Sequence, residues 1–189
     1  MITDRRAWLL SFRSNMYRSL IPDDLRYFHD HFVCKKMIDD WSEPPVRIDG
    51  KRKPIADFTS WTLGSPIVSD KAHRLILELC GEDVEFLPFN VFRRNSFAMN
   101  VLACGNYVDT QESVLRPFPI SIVFKKEVPE FPPIFKSSGV EELVFVTERF
   151  AKLVVTHGLT GIELLDPTEN ALFSSITGVV RNSYPGTPT

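Results

Sequence analysis

The residues able to carry chemistry are few and scattered. Four histidines and three cysteines stand among 189 residues. His29 and His31 sit two apart, a spacing that puts both imidazoles on one face of a strand and begins a metal site. No third ligand stands at a supporting spacing, so the pair reads as surface or half-buried histidine. His73 follows Ser69 and Asp70 closely, but residues within one helical turn rarely assemble a triad, and Ser69 serves as a helix cap. His157 replaces an apolar residue on a helix face, where it packs and complements the dipole. Cys34, Cys80 and Cys104 match no zinc or disulfide spacing and read as reduced, mostly buried thiols. The sequence has no GxSxG, P-loop or GxGxxG. It therefore points to no catalytic residue, no metal and no cofactor.

Acids and aromatics offer a different chemistry, that of a protein interface. Asp23-Asp24, Asp39-Asp40 with Glu43, and Glu141-Glu142 form small clusters that could oppose a basic partner. Phe131 could anchor such a contact. These eight residues are the candidate partner-binding set.

The elements that must position them follow from periodicity. Trp8 to Phe12 reads as a first strand. Between Leu20 and Trp41, helix and hairpin are both open. Leu25, Phe28 and Phe32 have helical spacing after Pro22-Asp23-Asp24, yet the aromatics also favour a strand. Asp49-Gly50 predicts a tight turn, and Lys51 to Lys53 a solvated one. Ile67-Val68 is a short strand, capped by Ser69. Ala72, Leu75, Ile76 and Leu79 mark one face of a helix that Gly81 ends, and Val84 to Leu87 returns as a strand. The same plan recurs 147 − 69 = 78 residues later. Thr147 caps, Phe150, Leu153, Val154 and His157 share a face, Gly158 ends the helix, and Ile162 to Leu165 returns. Each connection is long enough for a parallel crossover.

Phe97 to Val108 and Pro119 to Phe124 read as strands, and Val128 to Phe135 as an extended, proline-ruled segment. Asn170 to Val180 offers a last weak strand or helix. The expected architecture is α+β (mixed α/β), one compact domain with two similar strand–helix–strand units packed on sheet. Its parts are an N-terminal region 1–56, a first unit 64–89, a central strand region 90–135, a second unit 139–167 and a weakly ordered tail 181–189.

Composition narrows the partners. Hydrophobic residues make up 43% of the chain, with 15 Phe, enough for a sizeable core. A net charge of −2 gives no general attraction to nucleic acid or anionic membrane. The apolar stretch Ala7 to Leu10 is too short for a signal-peptide core, and no apolar run reaches the roughly 18 residues of a membrane helix. The expectation is a cytoplasmic protein.

Four blocks carry a resemblance: "DFTSWTLGSPIVSDKAHRLIL" (Asp57 to Leu77), "VEFLPFNV" (Val84 to Val91), "NVLACGNYVDTQES" (Asn100 to Ser113) and "IFKSSGVEELVFVTERFAKLVVTHGLTGIELLDP" (Ile134 to Pro167). In order and spacing they resemble family eleven of the immunity proteins of bacterial polymorphic toxin systems, formerly a domain of unknown function. Asn100, Asp109 and Ser113 match the family's block, whereas Asn106 stands where the family usually has Asp. The resemblance implies a non-enzymatic protein that binds a cognate toxin encoded nearby and occludes its active site. It carries no catalytic motif. Two other readings compete with it. One is an enzyme or small-ligand-binding protein with a site assembled from His29, His31, Cys104 and Asp109. The other is an adaptor of a secretion system. On the immunity reading the repeats are scaffold, and the contact surface lies before Pro54 and around Lys125 to Phe135.

Overall fold

The computed structural model describes residues 7–24, 31–62, 64–92, 94–115, 121–128, 130–168 and 184–187. His29, the possible helix start at Leu25 and Phe28, Pro119, and the possible element at Asn170 to Val180 lie outside these. The chain is an α+β fold. One sheet has the order β4-β5-β7-β6, built from β4 (Phe58–Thr62), β5 (Ser65–Ser69), β7 (Ser96–Val101) and β6 (Val84–Phe89). A second has the order β11-β1-β10-β9-β8, built from β11 (Ile162–Leu165), β1 (Ala7–Phe12), β10 (Phe145–Thr147), β9 (Ile134–Ser137) and β8 (Cys104–Gly105). A separate ribbon pairs β2 (Ser19–Pro22) with β3 (Val46–Asp49).

The two repeat units fold alike. The first runs β5, α1 (Asp70–Cys80), β6, and the second runs β10, α2 (Glu148–Thr156), β11. The two strands of each unit are parallel but not neighbours. An antiparallel strand is interposed, β7 in the first unit and β1 in the second. Even the register repeats. Phe97 faces Val68 and Trp8 faces Val146, with 146 − 68 = 78; Met99 faces Phe86 and Leu10 faces Leu164, with 164 − 86 = 78. On the other side β4 and β9 are equivalent, since Phe58 faces Val68 and Ile134 faces Val146.

One core joins the units. The helix stripes Ala72, Ile76, Cys80 and Phe150, Ala151, Val154 share a cluster with Val68, Met99, Trp8 and Leu164 from one face of each sheet. Amphipathic helices of this length stay folded through such burial rather than by propensity. Phe150 is fully buried with its ring edge toward Phe58, and truncation to Ala would cost about 3–5 kcal/mol. The opposite face of the first sheet is covered by the ribbon and an aromatic set with Trp61, Phe32 and Phe89. That of the second is covered by Phe131, Phe124 and Tyr107.

Asp57 fastens the halves together. Its carboxylate accepts from Ser69 Oγ at 2.8 Å and from Thr160 N and Oγ1 at 3.1 Å each. The strands also approach too closely for a side chain at Gly161, where a Cβ would stand 2.1 Å from the Phe58 carbonyl oxygen.

Several expectations are corrected. Ser69 caps α1, accepting from Ala72 N at 3.2 Å, but Thr147 makes no capping bond and its Oγ1 is buried without a partner. His157 is an exposed C-cap rather than a packed residue. Of the cysteines only Cys80 is buried; Cys34 is half-buried and Cys104 exposed. The tail is not wholly frayed. Tyr184 N donates to Leu164 O at 2.8 Å, and its ring meets Trp8 edge-on at 5.3 Å, extending the central core. Within the region Leu20 to Trp41, residues 25–30, on which the helix and hairpin readings turn, lie outside the described residues. After β2 its described part has bends at residues 31–34 and one 3-10 turn, Ile38–Asp40, where Glu85 of the first sheet takes up the backbone N–H groups of Met37 and Ile38.

Candidate partner face and buried lysine

Two places gather polar groups. The first is built by residues 35–45, a segment laid along the edge strand β6. Glu85 accepts from Met37 N at 2.8 Å and Ile38 N at 3.1 Å, and Asn100 Nδ2 donates to Lys35 O at 2.7 Å and to Glu85. Farther on, Trp41 Nε1 donates to Pro88 O and Asn90 N donates to Glu43, both at 2.8 Å. An edge strand left bare would invite pairing with another chain, and this segment covers it. Pro88 is tolerated there because an edge position can forgo a ladder donor.

The segment leaves its acids outward. Asp39 and Asp40 are exposed on the 3-10 turn beside exposed Ile38. On the outer face of the ribbon, Ile21 is exposed and Asp23 pairs with Arg47 at 3.1 Å. Asp24 is exposed next to it. Between segment and ribbon lies an open groove of about 670 Å³ lined by Arg18, Glu43, Pro45, Ile48, Asn90 and Phe92, among others. The Arg18 guanidinium stands 5.9 Å from the Phe92 ring centre, and its Nε donates to Lys53 O. Arg18 therefore reaches the groove already oriented.

The second place surrounds Lys136. This lysine is fully buried on β9, and its Nζ donates to the Phe32 carbonyl. Burial pulls its amine down to about 8, against the opposing influence of Cys34, Cys104, Glu141 and Glu142. Burial, and next the contact with Cys104, pushes the Cys34 thiol up to about 12. Gly64, at φ +75°, makes room for the ammonium: a Cβ there would stand 2.9 Å from Lys136 Nζ. Nothing in the sequence marked Lys136 as unusual, since β9 reads only as an extended apolar segment.

The eight candidate residues are thus divided. Asp23, Asp24, Asp39, Asp40 and Glu43 belong to the ribbon and the segment beside it. Glu141 and Glu142 lie before β10 and influence Lys136. Phe131 is 3% exposed and stacks on Phe135 at 4.8 Å, so it is a core residue and not a surface anchor. Of the site imagined from distant residues, His29 lies outside the described residues. Asp109 Oδ1 accepts from Gln111 N and Glu112 N, closing its own turn, and Ser113 Oγ bonds both backbone groups of Val123. Cys104 instead stands with Cys34. His73 is packed between Phe86 and Phe97, its pKa lowered by burial, while Ser69 is occupied by Asp57. Among the described residues no three His, Cys, Asp or Glu are placed to hold a metal, and no helix is long and apolar enough to cross a membrane. Compared with known families and curated proteins, the chain matches no family model and no curated sequence.

Proposed function

We propose that the protein is an immunity protein, a cytoplasmic inhibitor that binds a toxin encoded nearby and occludes its active site. The observation that carries this reading is the face formed by the ribbon and residues 35–45. Asp39, Asp40 and the apolar Ile38 are exposed on a segment held firmly by Glu85 and Asn100, Asp24 and Ile21 are exposed on the ribbon, and an open groove lined by Arg18 and Glu43 lies between segment and ribbon. Outward acids on a rigid support speed encounter with a basic partner, and apolar anchors among them supply affinity. The residues on which the resemblance rests, Asn100, Asp109 and Ser113, are occupied in holding segments and turns, a structural role in keeping with a non-enzymatic scaffold.

The test begins with capture of the neighbouring gene's product, then calorimetry. A one-to-one complex at nanomolar affinity, about −12 kcal/mol, together with rescue of growth, supports the reading. Charge reversal by D39K/D40K should weaken that complex at least tenfold and slow association, while E141K/E142K should leave it within about threefold. Equal loss from both pairs would move the face away from residues 35–45. No binding by a folded protein would return the enzyme and adaptor readings to the front.

A further inference from the structure

Cys34 and Cys104 are 104 − 34 = 70 residues apart in sequence, yet the fold brings them near enough that Cys104 is among the groups that raise the Cys34 thiol. The fold builds this meeting from both sides. Cys104 lies on β8, paired in parallel register with Lys136 of β9. The turn bearing Cys34 is held by Lys136 at the Phe32 carbonyl and by Asn100 at the Lys35 carbonyl. Phe32 and Cys34 both have left-handed backbone, φ 61° and 63°, which residues with a Cβ seldom adopt. Those contacts therefore impose the turn's shape, and with it the approach of one thiol to the other. Cys104 is exposed and Cys34 half-buried, so an oxidant in solution reaches the pair.

We propose that Cys34 and Cys104 form a reversible disulfide, a redox modification site that fastens residues 31–45 to the edge of the second sheet. The reaction is thiol–disulfide exchange with a small disulfide of the oxidised glutathione class. The thiolate of exposed Cys104 attacks one sulfur of that disulfide, forming a mixed disulfide and releasing one small thiolate. The Cys34 sulfur then attacks Cys104 Sγ and releases the second. Two protein thiols are oxidised, and one small disulfide is reduced to two thiols.

The proton of Cys34 is the difficulty, because burial and the Cys104 contact hold that thiol up to about 12. The Lys136 ammonium beside it favours the Cys34 thiolate, and the small thiolate released in the first step takes up the proton. The ionisable groups that bear on Lys136 are Cys34, Cys104, Glu141 and Glu142. The proposal does not rest on the proposed toxin binding, although the bridge would restrain the same segment.

The test uses the full chain in glutathione buffers of rising oxidised fraction, quenched by alkylation and mapped by mass spectrometry. The expected result is a Cys34–Cys104 linked peptide that dithiothreitol reverses, with Cys80 alkylated only after unfolding. Oxidation should raise Tm by roughly 5–10 °C, since the bridge closes a long loop. C104S should abolish the bridge, and K136M should let the Cys104–glutathione adduct accumulate. Only that adduct, only dimers linked through Cys104, or three free thiols at the most oxidising ratio would overturn the proposal. Mapping of the unaltered chain decides this whether or not the variants fold.

Discussion

The two halves of the molecule carry one plan with two fillings. In the first, the strand between β5 and β6 is β7, which follows the unit; in the second, the equivalent place is taken by β1, from the start of the chain. The register is the same, so the plan tolerates the central strand arriving from either direction. What differs is the entry to each helix. Ser69 N donates to Asp57 O at 2.8 Å, and Thr147 N donates to Pro133 O at 3.0 Å, so Asp57 and Pro133 are equivalent. Asp57 also offers a carboxylate, which engages Ser69 Oγ and Thr160. Pro133 has no acceptor on its side chain, and Thr147 Oγ1 is left buried and unpaired. One half therefore holds the other, and the second half bears an uncompensated polar group.

The largest break in this comparison should come from Asp57→Ala. It removes three side-chain hydrogen bonds, two of them across the halves, and leaves Ser69 Oγ and Thr160 Oγ1 without this partner. Hydrogen bonds to a charged group are each worth about 1.5–3 kcal/mol, and Asp57 is half-buried, so the loss should be about 3 kcal/mol in denaturant unfolding. A loss below about 1 kcal/mol would mean that the shared core alone joins the units.

A second difference lies on β9. Phe135 and Thr59 are equivalent, and beyond them β4 shifts register whereas β9 continues to the buried Lys136. The folded state holds the amine near 8, whereas the unfolded chain protonates it up to its ordinary 10.5. Between those values the unfolded chain binds more protons, so stability rises with pH; below 8 both states are charged and the term is flat. Measured against Lys136→Met, which lacks the term, wild-type stability should gain up to about 1.4 kcal/mol per pH unit within that window. A difference that stays flat from pH 8 to 10 would show the amine to be charged throughout.

The helix entries give the smallest and sharpest contrast. Ser69→Ala should cost about 1 kcal/mol by removing a cap. Thr147→Val should be neutral or stabilising by up to about 1 kcal/mol, because it replaces an unpaired buried hydroxyl with a methyl group. Equal losses at the two positions, read from paired unfolding curves, would abolish the asymmetry.

Both units were legible because a 3.6-residue apolar stripe between short apolar strands is a local signal, and its recurrence at 78 residues doubles it. Trp8 to Phe12 was legible as a strand for the same reason, though not its place at the centre of the second sheet. Residues 31–45 were not legible. Their backbone groups are satisfied by Glu85, Asn100 and Pro88, far away in sequence, and no local period records such partners. Phe131 was misplaced because an aromatic among prolines looks the same in sequence whether it faces solvent or stacks on Phe135.

By itself the sequence determined the helices, the strands of the repeats and the Ser69 cap, since each follows from spacing within a few residues. Only the tertiary structure decided which strand enters between the strands of each unit, which side chains hold residues 35–45, and that Lys136 is buried near two thiols. Those are outcomes of long-range pairing, where burial and hydrogen bonding between distant segments override what each segment prefers alone.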